Sequence, residues 1–302
     1  MSQLVESVPN FSEGRRPEIV DEIVKAMLAC DVMLLDREMD ASHNRAVVTI
    51  VGEPANVAEA AFRGCERAAQ LIDLNTHRGE HPRMGATDVI PFIPIQNVTM
   101  QECVALARRV GERIGNELQI PVYLYERAAT RPERRDLAYV RKGEYEALRD
   151  EIATVAAREP DFGPRRVGSA GAVAVGTRPF LIAYNVNLDT RNAQIAKDIA
   201  KITREKGGGL PGVKALGFAL EDKGIVQVSM NLTDFNVTGM WTAFQHVRAE
   251  AEKRGVRVLG SELVGLVPLE ALAQIARDAL QLDEFSSNQV VEVKLSQAET
   301  RI

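Results

Sequence analysis

This 302-residue chain has few cysteines and no long apolar runs. Its three cysteines, Cys30, Cys65 and Cys103, are odd in number and widely spaced, which argues against a disulfide scaffold and predicts free thiols in a reducing cytosol. No apolar run approaches the roughly 20 residues that a membrane-spanning helix needs, and the N-terminus has neither the basic nor the apolar region of a signal peptide. We therefore expect a cytoplasmic protein that does not bind membranes.

An excess of basic residues is also missing. The chain has 37 lysines and arginines against 42 aspartates and glutamates, a net charge of −5. Proteins that bind nucleic acid over a broad surface are usually basic, so nucleic acid is not an expected partner. The nucleotide motif GxxxxGK[ST] and the serine-nucleophile motif GxSxG are absent too, and no GxGxxG follows a predicted strand. The glycine-rich stretch KGGGLPG follows a predicted helix instead of opening one, which indicates a loop.

The length and the order of the hydrophobic patterns predict two subdomains. Residues 160–177, PDFGPRRVGSAGAVAVGT, are rich in glycine, proline and small residues and are typical of a linker. On each side of them the pattern gives strand, helix, hairpin, helix and strand. We predict an α/β (α+β) fold of two ferredoxin-like βαββαβ subdomains, residues 1–178 and 179–302, each a mixed sheet with helices on one face. The free sheet faces would form a cleft suited to a ligand.

Individual elements follow from helical spacing and from β-branched runs. The predicted helices are 16–30, 54–73, 99–118, 189–207, 238–255 and 269–280, and residues 141–159 are predicted to contain another. The predicted strands are 3–11, 32–36, 45–52, 88–95, 120–126, 180–188, 213–222, 224–232 and 256–267.

The segment HRGEHPRMGATDV, residues 77–89, holds two of the four histidines. HRGEH matches the H-x-x-E-H pattern of inverted zinc peptidases. That chemistry needs both histidines on one helix face, but Gly79 disfavours helix by roughly 1 kcal/mol relative to alanine. Pro82 also keeps His81 out of the helical conformation. We therefore predict no metal site, and two interpretations remain: a polar connecting loop, or an acid–base site built on an imidazole with an ordinary pKa of about 6.5.

Several stretches, in order along nearly the whole chain, resemble the glutamate formiminotransferase family. They are VPNFSEG (8–14), HNRAVVTIVG (43–52), LID (71–73), GEHPRMGATDVIPFIPI (79–95), PVYLYE (121–126), PDFGP (160–164) and LVGLVPLEAL (263–272). The resemblance implies two ferredoxin-like subdomains, a homodimer and a stand-alone transferase without a cyclodeaminase domain. It also implies transfer of a formimino group from N-formimino-L-glutamate to N5 of tetrahydrofolate, a co-substrate, without a metal.

The resemblance assigns the catalytic histidine to His81. It assigns folate binding to the segment Gly163, Pro164, Arg165, Arg166, Val167, Gly168, Ser169, Ala170 and Gly171. One imidazole can take the proton from N5 and return it to the departing glutamate nitrogen. A carboxylate would stabilise the positive charge on the amidine and the imidazolium, and we choose Asp88 and Asp234 for this role over Glu38, Asp40 and Glu80.

Both substrates carry carboxylates, which arginine binds through two parallel hydrogen bonds. We predict that Arg45 and Arg83 bind substrate and that Arg165 and Arg166 bind the folate tail, with or without a polyglutamate extension. Asn10 is a further candidate for substrate binding, with a structural role as the alternative. Two other functions stay open at this point: a folate-independent formiminoglutamate hydrolase and a non-catalytic folate-binding protein. A formyl donor in place of the formimino donor is open as well.

Overall fold

The computed structural model describes residues 3–299 of the chain. The chain divides into two compact units on either side of the Arg178–Pro179 bond, and each unit is described by itself. None of the helices in the described range is long and apolar enough to cross a membrane.

The first unit is built on a seven-stranded sheet. In chain order its strands are β1 (Leu4–Ser7), β2 (Asn10–Phe11), β3 (Met33–Asp40), β4 (Arg45–Gly52), β5 (Thr87–Gln96), β6 (Val122–Glu126) and β7 (Val173–Thr177). Its helices are α1 (Pro17–Leu28), α2 (Pro54–Leu71), α3 (Met100–Arg113), α4 (Leu137–Val140) and α5 (Glu144–Glu151), and a π-helical turn (Ile114–Leu118) continues α3.

Local sequence accounts for where these helices begin. Pro17 is the first residue of α1 and Pro54 the first of α2, a position that tolerates the missing N–H. A reciprocal capping box opens α3: Thr99 Oγ1 accepts from the Glu102 N–H at 3.2 Å, and the Glu102 carboxylate accepts from the Thr99 N–H at 2.7 Å. Such a box satisfies backbone donors that the first helical turn leaves unpaired.

In the antiparallel part of this sheet, the elements follow one another along the chain in the predicted order of strand, helix, hairpin, helix and strand. β1 and β2 share one strand position between β4 and β5, and β3 pairs with β4 at the edge. The predicted strand 3–11 is interrupted at Val8 and Pro9, since proline cannot donate to a ladder. Beyond β5 the sheet continues with β7 and then β6, both in parallel pairing.

The interpretation of residues 160–177 as a linker is wrong for their last part. Val173–Thr177 form β7, which is fully buried between β5 and β6. Residues 141–159 contain the predicted helix, which spans Glu144–Glu151 and is followed by a 3-10 turn at Ala156–Arg158.

Helices cover most of one face of the first sheet and part of the other. The main core joins the sheet to α1, α2 and α3 through residues such as Phe11, Ile50 and Phe92. A second cluster on the opposite face packs Tyr123 and Tyr125 of β6 against the region of α4 and α5, including Leu148. The expectation of helices on one face therefore describes the antiparallel part alone.

The second unit is a four-stranded antiparallel sheet with strand order β11-β8-β10-β9. Its elements are β8 (Ile182–Leu188), α6 (Ala193–Thr203), β9 (Val213–Leu220), β10 (Ile225–Leu232), α7 (Met240–Glu252), β11 (Val258–Val264), α8 (Leu269–Leu280) and α9 (Val291–Glu299). The first six follow the predicted βαββαβ order. Its core joins the sheet to the helices through residues such as Val186, Val228 and Ala243.

One carboxylate of the first sheet predicts a pH dependence of stability. Glu6 on β1 is 3% exposed, and burial raises its pKa from 4.5 to about 7, an effect that Arg178 partly offsets. Between pH 4.5 and about pH 7, Glu6 keeps its proton in the folded protein but loses it in the unfolded chain. The free energy of unfolding therefore falls by about 3 kcal/mol as the pH rises through this range. We expect Glu6→Gln to flatten this slope and to be more stable than the wild type at pH 8. Urea unfolding at pH 5 and pH 8 measures the change in the free energy of unfolding for each protein. An equal change in the wild type and in Glu6→Gln would contradict the prediction.

Candidate active site

The histidine segment connects α2 to β5 without forming a helix. His77 is buried, its Nε2 lies 3.0 Å from the backbone oxygen of Asn44, and its Nδ1 accepts from Arg83 Nε at 3.2 Å. Because arginine only donates, Nδ1 is unprotonated and Nε2 donates to the carbonyl. Burial lowers the pKa of His77. This neutral imidazole therefore holds the loop against the β3–β4 turn.

His81 faces a different partner. Its Nε2 lies 2.7 Å from Nη1 of Arg45, the first residue of β4. Both side chains line a narrow cavity, which is also lined by Ser12, His43, Asn44, His77, Arg83 and Asp88. The imidazole of His43 lies edge-on to that of His81, with ring centroids 6.2 Å apart, and His43 Nδ1 lies 2.7 Å from Asp40 Oδ2.

The turn that presents Arg45 depends on Asn44. Its φ is +50°, in the left-handed region that asparagine tolerates better than most residues. The side-chain oxygen accepts from the Gly14 N–H at 2.9 Å, and the side-chain nitrogen donates to the Arg78 carbonyl at 2.9 Å. Asn44 thus joins the N-terminal segment, the β3–β4 turn and the histidine loop around the cavity.

The surroundings keep His81 neutral. Burial and then the charges of Arg45, Arg141 and His43 lower its pKa to about 3, and a hydrogen bond to the Pro82 carbonyl acts in the opposite direction. Since Arg45 donates to Nε2, the proton of the neutral ring is on Nδ1. Burial, with Arg141 second, lowers the pKa of Arg45 as well, yet an arginine stays charged in proteins. The site is a neutral base beside a fixed cation.

Asp88 lies in the same cavity and is 2% exposed. Its Oδ1 accepts from the Met84 N–H at 2.8 Å, and its Oδ2 forms an ion pair with Arg141 Nη2. Sequence reasoning missed Arg141, which is 53 positions away and lies in no matched motif. The structure therefore brings Asp88 into the site, with both carboxylate oxygens already bound to protein groups.

Arg83 is engaged within the protein. It is 6% exposed, and its guanidinium binds Glu146 through Nη1 and Nη2 at 2.8 and 2.7 Å. It also binds Glu144 at 2.8 Å, besides donating to His77. These contacts use the donors that the sequence analysis expected for substrate carboxylates, so Arg83 joins the loop to α5.

Asn10 and Asp234 differ in where the fold places them. Asn10 on β2 donates to the Val8 carbonyl at 2.9 Å, and its side-chain oxygen lies 3.5 Å from Arg45 Nη1. Asp234 lies in the second unit just after β10, where its carboxylate accepts from the backbone and side-chain nitrogens of Asn236 at 3.0 and 3.2 Å. Asn10 therefore lies beside Arg45 in the candidate site. Asp234 instead stabilises a turn in the second unit.

The segment from Gly163 to Gly171 runs beside the histidine loop. The Ala86 N–H donates to the Ala170 carbonyl and the Leu74 N–H to the Ser169 carbonyl, at 2.9 and 2.8 Å. Gly171 has φ +69°, and a Cβ there would lie 2.2 Å from the Met84 oxygen, so only glycine fits. Arg165 and Arg166 are exposed, Val167 packs partly against the core, and Gly168 has open space around it.

Among the described residues, no group of three or more histidine, cysteine, aspartate or glutamate side chains is arranged to hold a metal ion. The two histidines of HRGEH have separate partners: His77 contacts Asn44 and Arg83, and His81 contacts Arg45.

Comparison with known proteins assigns both units. Residues 4–178 match the formiminotransferase domain, N-terminal subdomain, and residues 183–296 match the formiminotransferase domain. Glutamate formimidoyltransferase of Thermoplasma acidophilum is 51% identical over 298 residues, 98% of each chain. That of Streptococcus pyogenes serotype M1 is 48% identical over 287 residues, 94% of this chain and 96% of the other. The mouse formimidoyltransferase-cyclodeaminase is 49% identical over 284 residues, 91% of this chain but 52% of the longer protein.

The structure is that of an α/β protein in two units, and in the first unit His81 contacts Arg45. The chain belongs to the formiminotransferase family, which confirms the resemblance found in the sequence.

Proposed function

We propose that this protein transfers the formimino group of N-formimino-L-glutamate to N5 of tetrahydrofolate, giving 5-formiminotetrahydrofolate and glutamate. The observation that carries the proposal is His81, a neutral imidazole in contact with a half-buried arginine inside a formiminotransferase fold. The names of the two relatives that match this chain along its length support the same reaction.

His81 performs both proton transfers. The N5 amine attacks the amidine carbon, and the N5–C bond forms as Nε2 of His81 takes the N5 proton. The C–N bond to glutamate then breaks, and the imidazolium returns the proton to the departing nitrogen. General acid–base catalysis of this kind contributes typically ~10²–10⁴-fold, and the protons balance without another group.

The residues around His81 bind the substrate and balance the charges in the cavity. Arg45 binds a substrate carboxylate, because it is half-buried and, among the described residues, no carboxylate lies within ion-pairing distance of it. Asn10, 3.5 Å away, orients it. Asp88 fixes Arg141 and offsets its positive charge in the cavity. The role predicted for Asp234 stays a sequence prediction that its turn contacts do not support.

Tetrahydrofolate suits the segment from Gly163 to Gly171 for two reasons. Gly171 lets this backbone lie directly against the histidine loop while Gly168 has open space around it, and exposed Arg165 and Arg166 offer cations to the glutamate tail. A polyglutamate tail, a homodimer and a cytoplasmic location remain predictions from the sequence.

One assay of substrate consumption distinguishes the proposed function from its two alternatives, the hydrolase and the non-catalytic folate-binding protein. We expect formiminoglutamate and tetrahydrofolate to be consumed in equal amounts, with glutamate released at the same rate. Loss of formiminoglutamate without folate would indicate the hydrolase instead. Tight folate binding with no turnover would indicate the non-catalytic protein.

A further inference from the structure

Arg45 is half-buried, and it differs from other buried or half-buried arginines of the first unit. Three of them pair with a carboxylate: Arg83 with Glu146, Arg134 with Asp161, and Arg141 with Asp88. Within residues 3–299, no carboxylate accepts a hydrogen bond or forms an ion pair with Arg45, whose contacts are His81 Nε2 at 2.7 Å and Asn10 Oδ1 at 3.5 Å. Asp88, and after it Asp40 and Glu38, act on it only at longer range. A charge that is partly removed from water without a counterion in contact is unfavourable, so this guanidinium favours an incoming anion.

The same contact blocks the base. Nε2 carries the only lone pair of neutral His81 that can accept a proton, and Arg45 donates into it. While that hydrogen bond exists, His81 cannot take a proton from N5. A general base also works best with a pKa near the operating pH, whereas His81 is held far below it by burial, Arg45, Arg141 and His43.

We propose that Arg45 is a removable cap on His81, and that a carboxylate of the formimino donor lifts it. This inference rests on the proposed function. In this step the Nη1–H···Nε2 hydrogen bond breaks, two N–H···O bonds to the carboxylate form, and no proton changes owner. The imidazole is neutral and accepts one hydrogen bond from Arg45, whereas a carboxylate is negatively charged and accepts two parallel ones, so the exchange favours the carboxylate. The added negative charge raises the basicity of the freed imidazole.

The cap makes the base available only when the correct donor is bound. A donor without a carboxylate leaves Arg45 on His81 and therefore reacts slowly, even if it enters the cavity. The empty site is protected in the same way from protonation and from idle hydrolysis. Donor recognition and base activation thus depend on one side chain.

Formamidine, a formimino donor without carboxylates, tests the cap. We expect the wild type to transfer from formamidine to tetrahydrofolate slowly and to be accelerated about tenfold or more by glutarate, within the range of general-base effects. Arg45→Met should use formamidine about as fast as the glutarate-activated wild type, without a response to glutarate. Its KM for formiminoglutamate should rise about tenfold or more, since a charge-assisted pair is lost.

The protonation of His81 gives a readout that does not require turnover. We expect NMR titration of the His81 ring to give a higher pKa in Arg45→Met than in the wild type, and a higher pKa in the wild type with glutarate than without. Arg45→Lys should keep part of the cap, because an ammonium can donate to Nε2. Arg78→Met, which removes the same charge from an exposed side chain of the histidine loop, is the control and should match the wild type.

The outcomes separate the cap from the proposed function. An unchanged His81 pKa in Arg45→Met overturns the cap, whatever the rates are. A raised pKa without a response of formamidine turnover to glutarate, in an enzyme that uses formiminoglutamate, overturns the gating role. The expected pKa changes in a protein that transfers from neither donor support the cap and reject the proposed reaction.

Discussion

Replacing His81 by glutamine should lower kcat for formimino transfer by at least ~10²-fold, the contribution expected of a general acid–base group. Glutamine cannot carry a proton from N5 to the departing nitrogen. Its side-chain oxygen can still accept from Arg45, so the cation keeps a partner and the cavity keeps its lining. The KM for formiminoglutamate should therefore change much less than kcat. Steady-state kinetics with saturating tetrahydrofolate measure both.

A matched substitution controls for the loss of an imidazole as such. His246 lies on α7 of the second unit, and His246→Gln should leave kcat near the wild-type value. Thermal unfolding of both variants should show that neither change disrupts the fold. If His81→Gln retained wild-type turnover while remaining folded, His81 would not be the proton carrier, and the proposed mechanism would fail with it.

The sequence pattern predicted best those elements that depend on residues close together in the chain. Pro54 and the alanine-rich periodicity that follows it predicted α2, and the alternating run at 213–232 predicted the β9–β10 hairpin. Gly79 and Pro82 correctly ruled out a helix through HRGEH. The structure adds a second reason for the glycine: a Cβ at position 79 would lie 2.3 Å from the His43 carbonyl oxygen. The loop can approach the β3–β4 turn only with glycine there.

The features that the sequence analysis missed depend on distant partners. β7 resembles a linker in the sequence because its run, VAVGT, is short and its neighbours β5 and β6 are far away in sequence. A parallel strand has no adjacent turn to reveal it. Arg83 and Arg45 look equivalent in the sequence, since each lies in a matched motif. Only the fold shows that Glu144 and Glu146 satisfy the first and that the second contacts an imidazole.

The ion pair of Asp88 with Arg141 should show the largest effect on stability. Asp88 is 2% exposed, and the Arg141 side chain 16%. Asp88→Ala leaves a buried guanidinium without its counterion beside Arg45, a change that typically costs about 3–5 kcal/mol. It also removes the acceptor of the Met84 N–H, which fixes the end of the histidine loop. Urea unfolding should show the loss as a lower midpoint.

The double variant Asp88→Ala/Arg141→Met should recover most of this loss, because replacing both charges of a buried pair by apolar groups is often nearly neutral. Arg141 also lowers the pKa of His81, so NMR titration should find that pKa higher in the double variant than in the wild type. A purely structural pair would leave the His81 titration unchanged. If the double variant were as unstable as Asp88→Ala, the unpaired arginine would not be the cause, and the lost Met84 contact would have to account for the whole effect.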